Sequence, residues 1–391
     1  MSVNQLKKEQ VYSLLNDLHK QATGMNSIAP VDSSGFVSMA QAVLATGYNQ
    51  TINSIAQVIG QTIFSIRPYS RKFKKLEMSA EQWGGIRRKL SIADRDAKSN
   101  DVYSITDGQA TNPYLVRLPN ILETRFVGST IFDDFYSITK QQLKTAFSNE
   151  SEFGSFMTML TQNASDKFEQ WLEELSRMTL CNFIAAKNEA DSSSVVHLLT
   201  EYNQLTGLTT PLTNQTVYQP DNFRPFMYWV HSRIAELTQQ MTERSVKFQM
   251  NITGKEIQRH TPYADQRVYL LSKAKAQIDA MVLSNTYNDD YLKLADVESV
   301  GYWQSIDSPD AIQTTPNYID STGAVVVGTA QSMANVFGVI FDRDAIGYNI
   351  YDDSIDTTPF EAKHKYWTVY HHADIQWTND LTEKGIVLLL D

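Results

Sequence analysis

The sequence predicts an α+β protein organised around one long helix. Three observations carry that expectation. Apolar residues recur every three and four positions from about Asn149 to Lys187, short alternating segments gather before and far beyond that stretch, and the region between mixes both periods. With 391 residues the chain has room for two domains, or for one with long extensions. Its 42% apolar and 20% charged residues are a globular composition rather than a disordered one.

Residues 1–66 read as an arm holding one or two helices. Lys7 to Leu18 has helical spacing, Gly24 to Gly35 is loop-like, and Met39 to Ile59 is rich in Ala, Val, Ile and Gln without strong charge. A segment that apolar is expected to pack on something. Residues 67–89 are the most charged stretch, with Arg67, Arg71, Lys72, Lys74, Lys75, Arg87, Arg88 and Lys89 against only Glu77 and Glu81. Nucleic-acid contact is one reading, for which Tyr69 and Trp83 make a weak stacking platform. A solvated or partner-facing arm is the other. The net charge of −10 argues against broad binding to a nucleic-acid backbone, which needs excess Lys and Arg, although a local basic patch stays open.

From 90 to 136 the pattern is β. Lys89 to Ile92, Val102 to Ile105, Tyr114 to Leu118 and Leu122 to Val127 alternate, separated by turn pairs such as Asp107-Gly108 and Asn112-Pro113. Large apolar residues are too few for a core of its own, so this excursion should lie on another surface. The long helix follows, with Phe153, Phe156, Met157, Leu160, Phe168, Trp171, Leu172, Leu175, Met178 and Ile184 along its apolar stripe. Asn149 with Glu152 forms a capping pattern. At 1.5 Å per residue the helix runs roughly 55 Å, and its stripe holds no strict heptad.

Residues 190–335 read as mixed α/β. A helix is expected from Asp221 to Glu243, strands at Val246 to Met250 and Arg267 to Leu271, and a helix capped by Ser272 and running to about Asn285. Leu292 to Leu294, Val300 to Ser305 and a loop through Pro316 complete the stretch. The tail is β again at Val336 to Phe341, Tyr348 to Tyr351, Lys365 to Trp377 and Gly385 to Leu390.

Chemistry is hard to find. There is no Walker loop, GxGxxG, GxSxG or HExxH. The single cysteine, Cys181, sits in an apolar stretch and reads as a buried small hydrophobe. The neighbouring acids Asp289-Asp290 and Asp352-Asp353 would point apart on a strand. His371 and His372, with His364 and Asp374 nearby, suggest a metal, but in a strand the two adjacent histidines face opposite sides and cannot share one ion. What remains is a metal-dependent hydrolase using His364, His372 and Asp374, kept as an alternative. The N-terminus has no apolar signal region and no run approaches about 18 apolar residues, so neither secretion nor membrane insertion is expected.

The order of elements resembles the major capsid protein of tailed bacteriophages, the Hong Kong 97-type capsid fold. Local stretches carry the likeness too. Glu123 to Gly128 with Phe135 to Phe147 resembles the entry to the spine helix in capsid proteins of small short-tailed phages. Phe341 to Tyr348, Trp367 to Trp377 and Thr382 to Val387 are similar to capsid C-termini. The resemblance spans roughly residues 67–391. It implies an N-terminal arm (1–66), an extended β loop across the neighbouring subunit (67–136), a peripheral domain with the spine helix (137–189), an axial domain (190–335) and strands returning to the peripheral domain (336–391).

The function so implied is self-assembly into an icosahedral shell of pentamers and hexamers around double-stranded DNA, without catalysis, cofactor or sequence-specific DNA binding. Copies of itself, portal and scaffolding proteins are the implied partners. A decoration protein would be a separate chain, since the sequence stops at Asp391 without the immunoglobulin-like domain some relatives carry. The expected locations are the virion and, during assembly, the host cytoplasm. The candidate inter-subunit contacts are Lys74, Lys75, Arg87, Arg88 and Lys89 against an acidic tail that includes Asp342, Asp344, Asp352, Asp353, Asp356 and Glu361. No Lys–Asn crosslinking pair is identified. An encapsulin-like compartment shell shares the fold and is the second alternative.

Overall fold

The computed structural model describes residues 8–25, 30, 32–61, 71–78, 86–92, 114, 118, 121–148, 150–282 and 297–391. Its N-terminal segment holds three helices where one or two were expected: α1 (Lys8–Thr23), α2 (Ser33–Ala45) and α3 (Tyr48–Gln61), with Asp32 capping α2 by accepting from the Gly35 amide at 2.7 Å. Val11, Leu15, Leu18, Phe36, Val43, Ile52 and Ile55 are buried together with Phe153, Met157 and Trp367. Amphipathic helices need a partner surface, and the first turns of the long helix help to supply it.

Next come β1 (Ile86–Ile92), β2 (Ile121–Val127), β3 (Thr130–Thr139), α4 (Lys140–Ala146) and α5 (Glu150–Ala190). Thr139 and Gln142 form a reciprocal capping box at the start of α4. The 41 residues of α5 span about 60 Å and join two cores. Phe153, Phe156, Met157 and Leu160 belong to the cluster with α1–α3, whereas Leu172, Leu180, Phe183 and Ile184 belong to a larger one. Asn149, the expected cap, lies outside the described residues.

The chain continues through β4 (Val195–His197), α6 (Leu198–Thr206), α7 (Pro220–Thr242), β5 (Gln266–Leu271), α8 (Ser272–Val282), β6 (Val297–Val300), β7 (Ile312–Thr314), β8 (Asn317–Ile319), β9 (Val325–Val327) and β10 (Gln331–Met333). It closes with β11 (Val336–Asp342), β12 (Ile346–Thr357), β13 (Tyr366–Asn379) and β14 (Gly385–Leu389). One five-stranded sheet has the order β4-β14-β11-β5-β6, and a three-stranded antiparallel sheet has the order β12-β13-β3.

Three expectations change. The tail 336–391 does not return as one unit. β11 and β14 are buried at every residue and pair inside the five-stranded sheet, while β12 and β13 join β3. Continuous apolar runs need cover on both faces, whereas the part-exposed β12 and β13 suit a sheet with an open face. Val246 to Met250 alternates yet forms no strand. Phe248 adopts φ +66 there, and its carbonyl accepts from Gly385 N at 2.7 Å and Lys187 Nζ at 3.1 Å. Finally, among the described residues of 67–136, residues 71–78 cross the long helix and β3 lies in a sheet, while the β1–β2 hairpin stands apart from both. Arg67, Tyr69, Glu81, Trp83, Val102 to Ile105, both turn pairs, Asp289, Asp290 and Leu292 to Leu294 lie outside the described residues.

Candidate assembly surface

A strap leads to the hairpin. Phe73 and Leu76, flanking a 3₁₀ turn, are buried in the larger core. The Phe73 ring lies 5.6 Å from that of Tyr269, with the Arg177 guanidinium 5.1 Å from its centre. Arg71 is held between Glu169 on α5 and Glu77, and the Met78 amide donates to the Tyr348 carbonyl at 2.9 Å.

The hairpin that follows has two unlike faces. In its register Arg88 opposes Arg125, Leu90 opposes Glu123, and Ile92 opposes Ile121. These residues share one face, because side chains alternate along a strand and paired residues lie side by side. Leu90, Ile92, Ile121 and Val127 on that face are 57%, 64%, 48% and 67% exposed. Between them Arg88 and Arg125 both grip Glu123, at 2.7 and 2.5 Å. The hydrogen bond from Arg125, then that from Arg88, hold the Glu123 carboxyl below its usual range. The other face turns inward. Leu122 and Thr124 are buried, Gln376 donates to the Phe126 carbonyl at 2.9 Å, and Lys89 Nζ lies 2.6 Å from Asp380 and also pairs with Glu383.

The turn joining β13 to β14 receives this root. Asp380 is 1% exposed, and its Oδ1 accepts from the Thr382 amide at 2.9 Å and hydroxyl at 2.6 Å. Burial opposes its charge, but Lys89 and Thr382 together outweigh that and hold its pKa low. Burial raises Glu383 despite Lys89 and Arg259, the latter at 2.5 Å. Lys187, at the end of α5, donates to Asp191 at 3.0 Å and to the Leu381 carbonyl at 3.3 Å. The charged turn thus ties the hairpin to the long helix.

The predicted contact residues fall in two groups. Lys74 and Lys75 are exposed on the 3₁₀ turn, and Lys75 lies 2.8 Å from Glu298. Arg87 reaches the Met78 sulfur and lies 4.0 Å from Asp344, Arg88 takes Glu123, and Lys89 takes Asp380 and Glu383. Lys75, Arg87, Arg88 and Lys89 therefore meet carboxylates of their own chain. Asp352, Asp353 and Asp356 sit exposed on β12, and among the described residues none receives a cation from 71–92. Asp380 and Glu383 were missed. Their only sequence signal is a polar run, Thr378 to Lys384, between two apolar strands, and nothing local marks it as buried.

The histidine pair lies on a strand as expected. His371 pairs across to Asp134 and Ile355, and His372 to Asp133 and Ser354, so their side chains take opposite faces. Burial pulls the His371 pKa down against Asp353 and Asp134. His364 lies before the strand, 3.2 Å from Glu361. Among the described residues no three of His, Cys, Asp and Glu are grouped to hold a metal ion.

A long helix bridging two cores, with a hairpin that turns an apolar face away from its own chain, has the form of a shell subunit. Its fold is that of phage capsid proteins with the Hong Kong 97-like architecture. It is similar to a chain of the Staphylococcus phage Andhra capsid (TM-score 0.56, 10% identity, 84% of this chain and 87% of that one). It is equally similar to a chain in the structure of the head fiber and inner core protein gp22 of native bacteriophage P68 (TM-score 0.56, 10% identity, 84% and 86%). The profile of the Phi29-like phage major capsid protein matches residues 12–387, and the chain belongs to that family. It is a shell-forming structural component of the virion. A separate 162-residue match, 28% identical, is to the large ribosomal subunit protein uL3 of Picrophilus torridus, over 37% of this chain and 47% of that protein. The chain thus spans about half the length of the curated relative it matches.

Proposed function

We propose that copies of this protein form pentamers and hexamers that close around double-stranded DNA, and that the outward face of the β1–β2 hairpin is laid on the neighbouring copy. The exposed row Leu90, Ile92, Ile121 and Val127 carries this reading. Burying each such side chain stabilises by about 1.5–3 kcal/mol, and obligate interfaces commonly exceed about 2,000 Å². Lys74 and the exposed Asp352, Asp353 and Asp356 are assigned to contacts between copies, where heterologous pairing closes rings. The two hydrophobic clusters support a peripheral domain of α1–α3 and the first half of α5 and an axial domain around the five-stranded sheet, with β3, β12 and β13 running between them and contributing to both. Portal, scaffolding and decoration proteins, met in the host cytoplasm, belong to the same reading, which assigns no reaction or crosslink to the chain.

The test is negative-stain microscopy of the expressed protein and of L90D/I92D. Wild type should form closed shells, and the variant should stay as folded, unassembled subunits. Normal shells from L90D/I92D would refute the role of this face.

A further inference from the structure

We propose that Lys89, with Asp380, Glu383 and Arg259, is a clasp that sets the direction in which the hairpin leaves its own subunit. This deepens, and rests on, the reading of the hairpin as a contact between copies.

Among the described residues, the other ties on the hairpin are single contacts: Gln376 donates to the Phe126 carbonyl at 2.9 Å, Lys255 Nζ to the Ile121 carbonyl at 3.2 Å, and Arg87 reaches Met78. The side chains of its outward face are largely exposed, and its inward side chains are short of core-forming bulk apart from Leu122 and Phe126. The clasp lies directly beneath. Lys89 is the side chain of 86–92 that reaches the 380–384 turn, with Nζ 2.6 Å from Asp380 and paired with Glu383. Arg259 approaches from the other side. It lies 2.5 Å from Glu383 and 3.4 Å from both the Ser91 hydroxyl and that of Thr382. Two cations from separate segments therefore meet two carboxylates on one turn.

That turn does not move freely. Asp380 N donates to the Ala345 carbonyl at 2.7 Å, Met250 N to the Leu381 carbonyl at 2.9 Å, and Gly385 N to the Phe248 carbonyl at 2.7 Å. The fully buried Lys384 donates to the Glu243 carbonyl at 2.6 Å and the Ser245 hydroxyl at 3.1 Å, past the end of α7. An acidic turn held by its own hydrogen bonds and by Arg259, receiving Lys89 from the hairpin, gives direction as well as affinity. Removing that cation leaves a buried carboxylate without its partner, a much larger penalty than losing a surface pair. The hairpin is thus the element free to respond. Lys89 is a positioning residue, acting on the contact through the orientation of Leu90 and Ile92.

The test is hydrogen exchange on the unassembled full chain, comparing wild type with K89A, K89R and the milder E383Q. K89A should raise exchange at 86–92 and 121–127 by about 10- to 100-fold, with α5 and β11 unchanged. K89R should restore protection, and E383Q should fall between. K89A should also give misclosed particles in place of regular shells. Hairpin protection at the wild-type level in both K89A and E383Q overturns the clasp, whatever the particles look like. So does faster exchange spread equally over α5 and β11, which would make Lys89 a general stabiliser. If K89A fails to fold, E383Q alone decides by the same criterion. Normal shells from L90D/I92D would instead sink the contact reading, leaving the exchange result to judge the clasp separately.

Discussion

Replacing Phe73 by Ala tests whether the strap is held by the subunit's own core. The ring is 1% exposed, tilted against Tyr269 at 5.6 Å and under the Arg177 guanidinium. Removing a buried Phe ring costs about 3–5 kcal/mol. The strap is short and flanks a surface element, so it can undock without unfolding the sheet beneath. The loss should then appear locally, as exchange at Leu76, Glu77 and Met78, whose amides donate to Phe73, Lys74 and Tyr348 carbonyls at 3.0, 3.0 and 2.9 Å. Converted at tenfold per 1.4 kcal/mol, the accelerated opening is about 100- to 4,000-fold, capped by the strap's own docking energy. Hydrogen exchange with site resolution reads this directly, and a urea titration detects any remainder passed to global stability. A Met78 amide protected within about threefold of wild type, together with an unchanged urea midpoint, would refute the reasoning.

Gly385→Ala should destabilise by about 1–3 kcal/mol in a urea titration, because the new Cβ would lie 2.6 Å from the Phe183 ring in a packed core. Lys384 is buried, which pulls its pKa from 10.5 to about 8. Between those values the unfolded chain holds the extra proton, so this group makes stability rise with pH from about 8 to 10.5, and K384M should lack that rise relative to wild type. Burial pushes the Cys181 thiol up to about 12. A thiol reagent at pH 8 should therefore label the protein only after denaturation, and prompt labelling of the native subunit would contradict its placement beside the Trp303 carbonyl.

The long helix and α7 were legible from their period, β13 from its alternation, and β11 and β14 as short continuous apolar runs. Partnership was not. Val336 to Phe341 and Lys365 to Trp377 both read as strands, yet they enter different sheets, and only burial on one face or two separates them. Phe248 sits in an alternating run, but three-dimensional demand for its carbonyl turns the backbone there. The basic stretch was visible as charge, while its partners Asp380 and Glu383 lie almost three hundred positions along the chain. Charge counts reveal that pairing is needed and not where it occurs. The hairpin's two faces could be read from alternation alone once its register is known, and the register is a pairing of two segments about thirty residues apart that alternation by itself does not fix.

An inner strand of the five-stranded sheet is its latest arrival. β14 lies between β4 and β11, and Val387 pairs with Val195. A ribosome adding about 5–20 residues per second leaves that slot vacant for roughly 10–40 s after β4 emerges. Once β11 is made it still lacks one neighbour until β14 follows, and before the 380–384 turn appears Lys89 has no Asp380 to reach. The sheet therefore closes only when its latest-made strand inserts between two strands made before it.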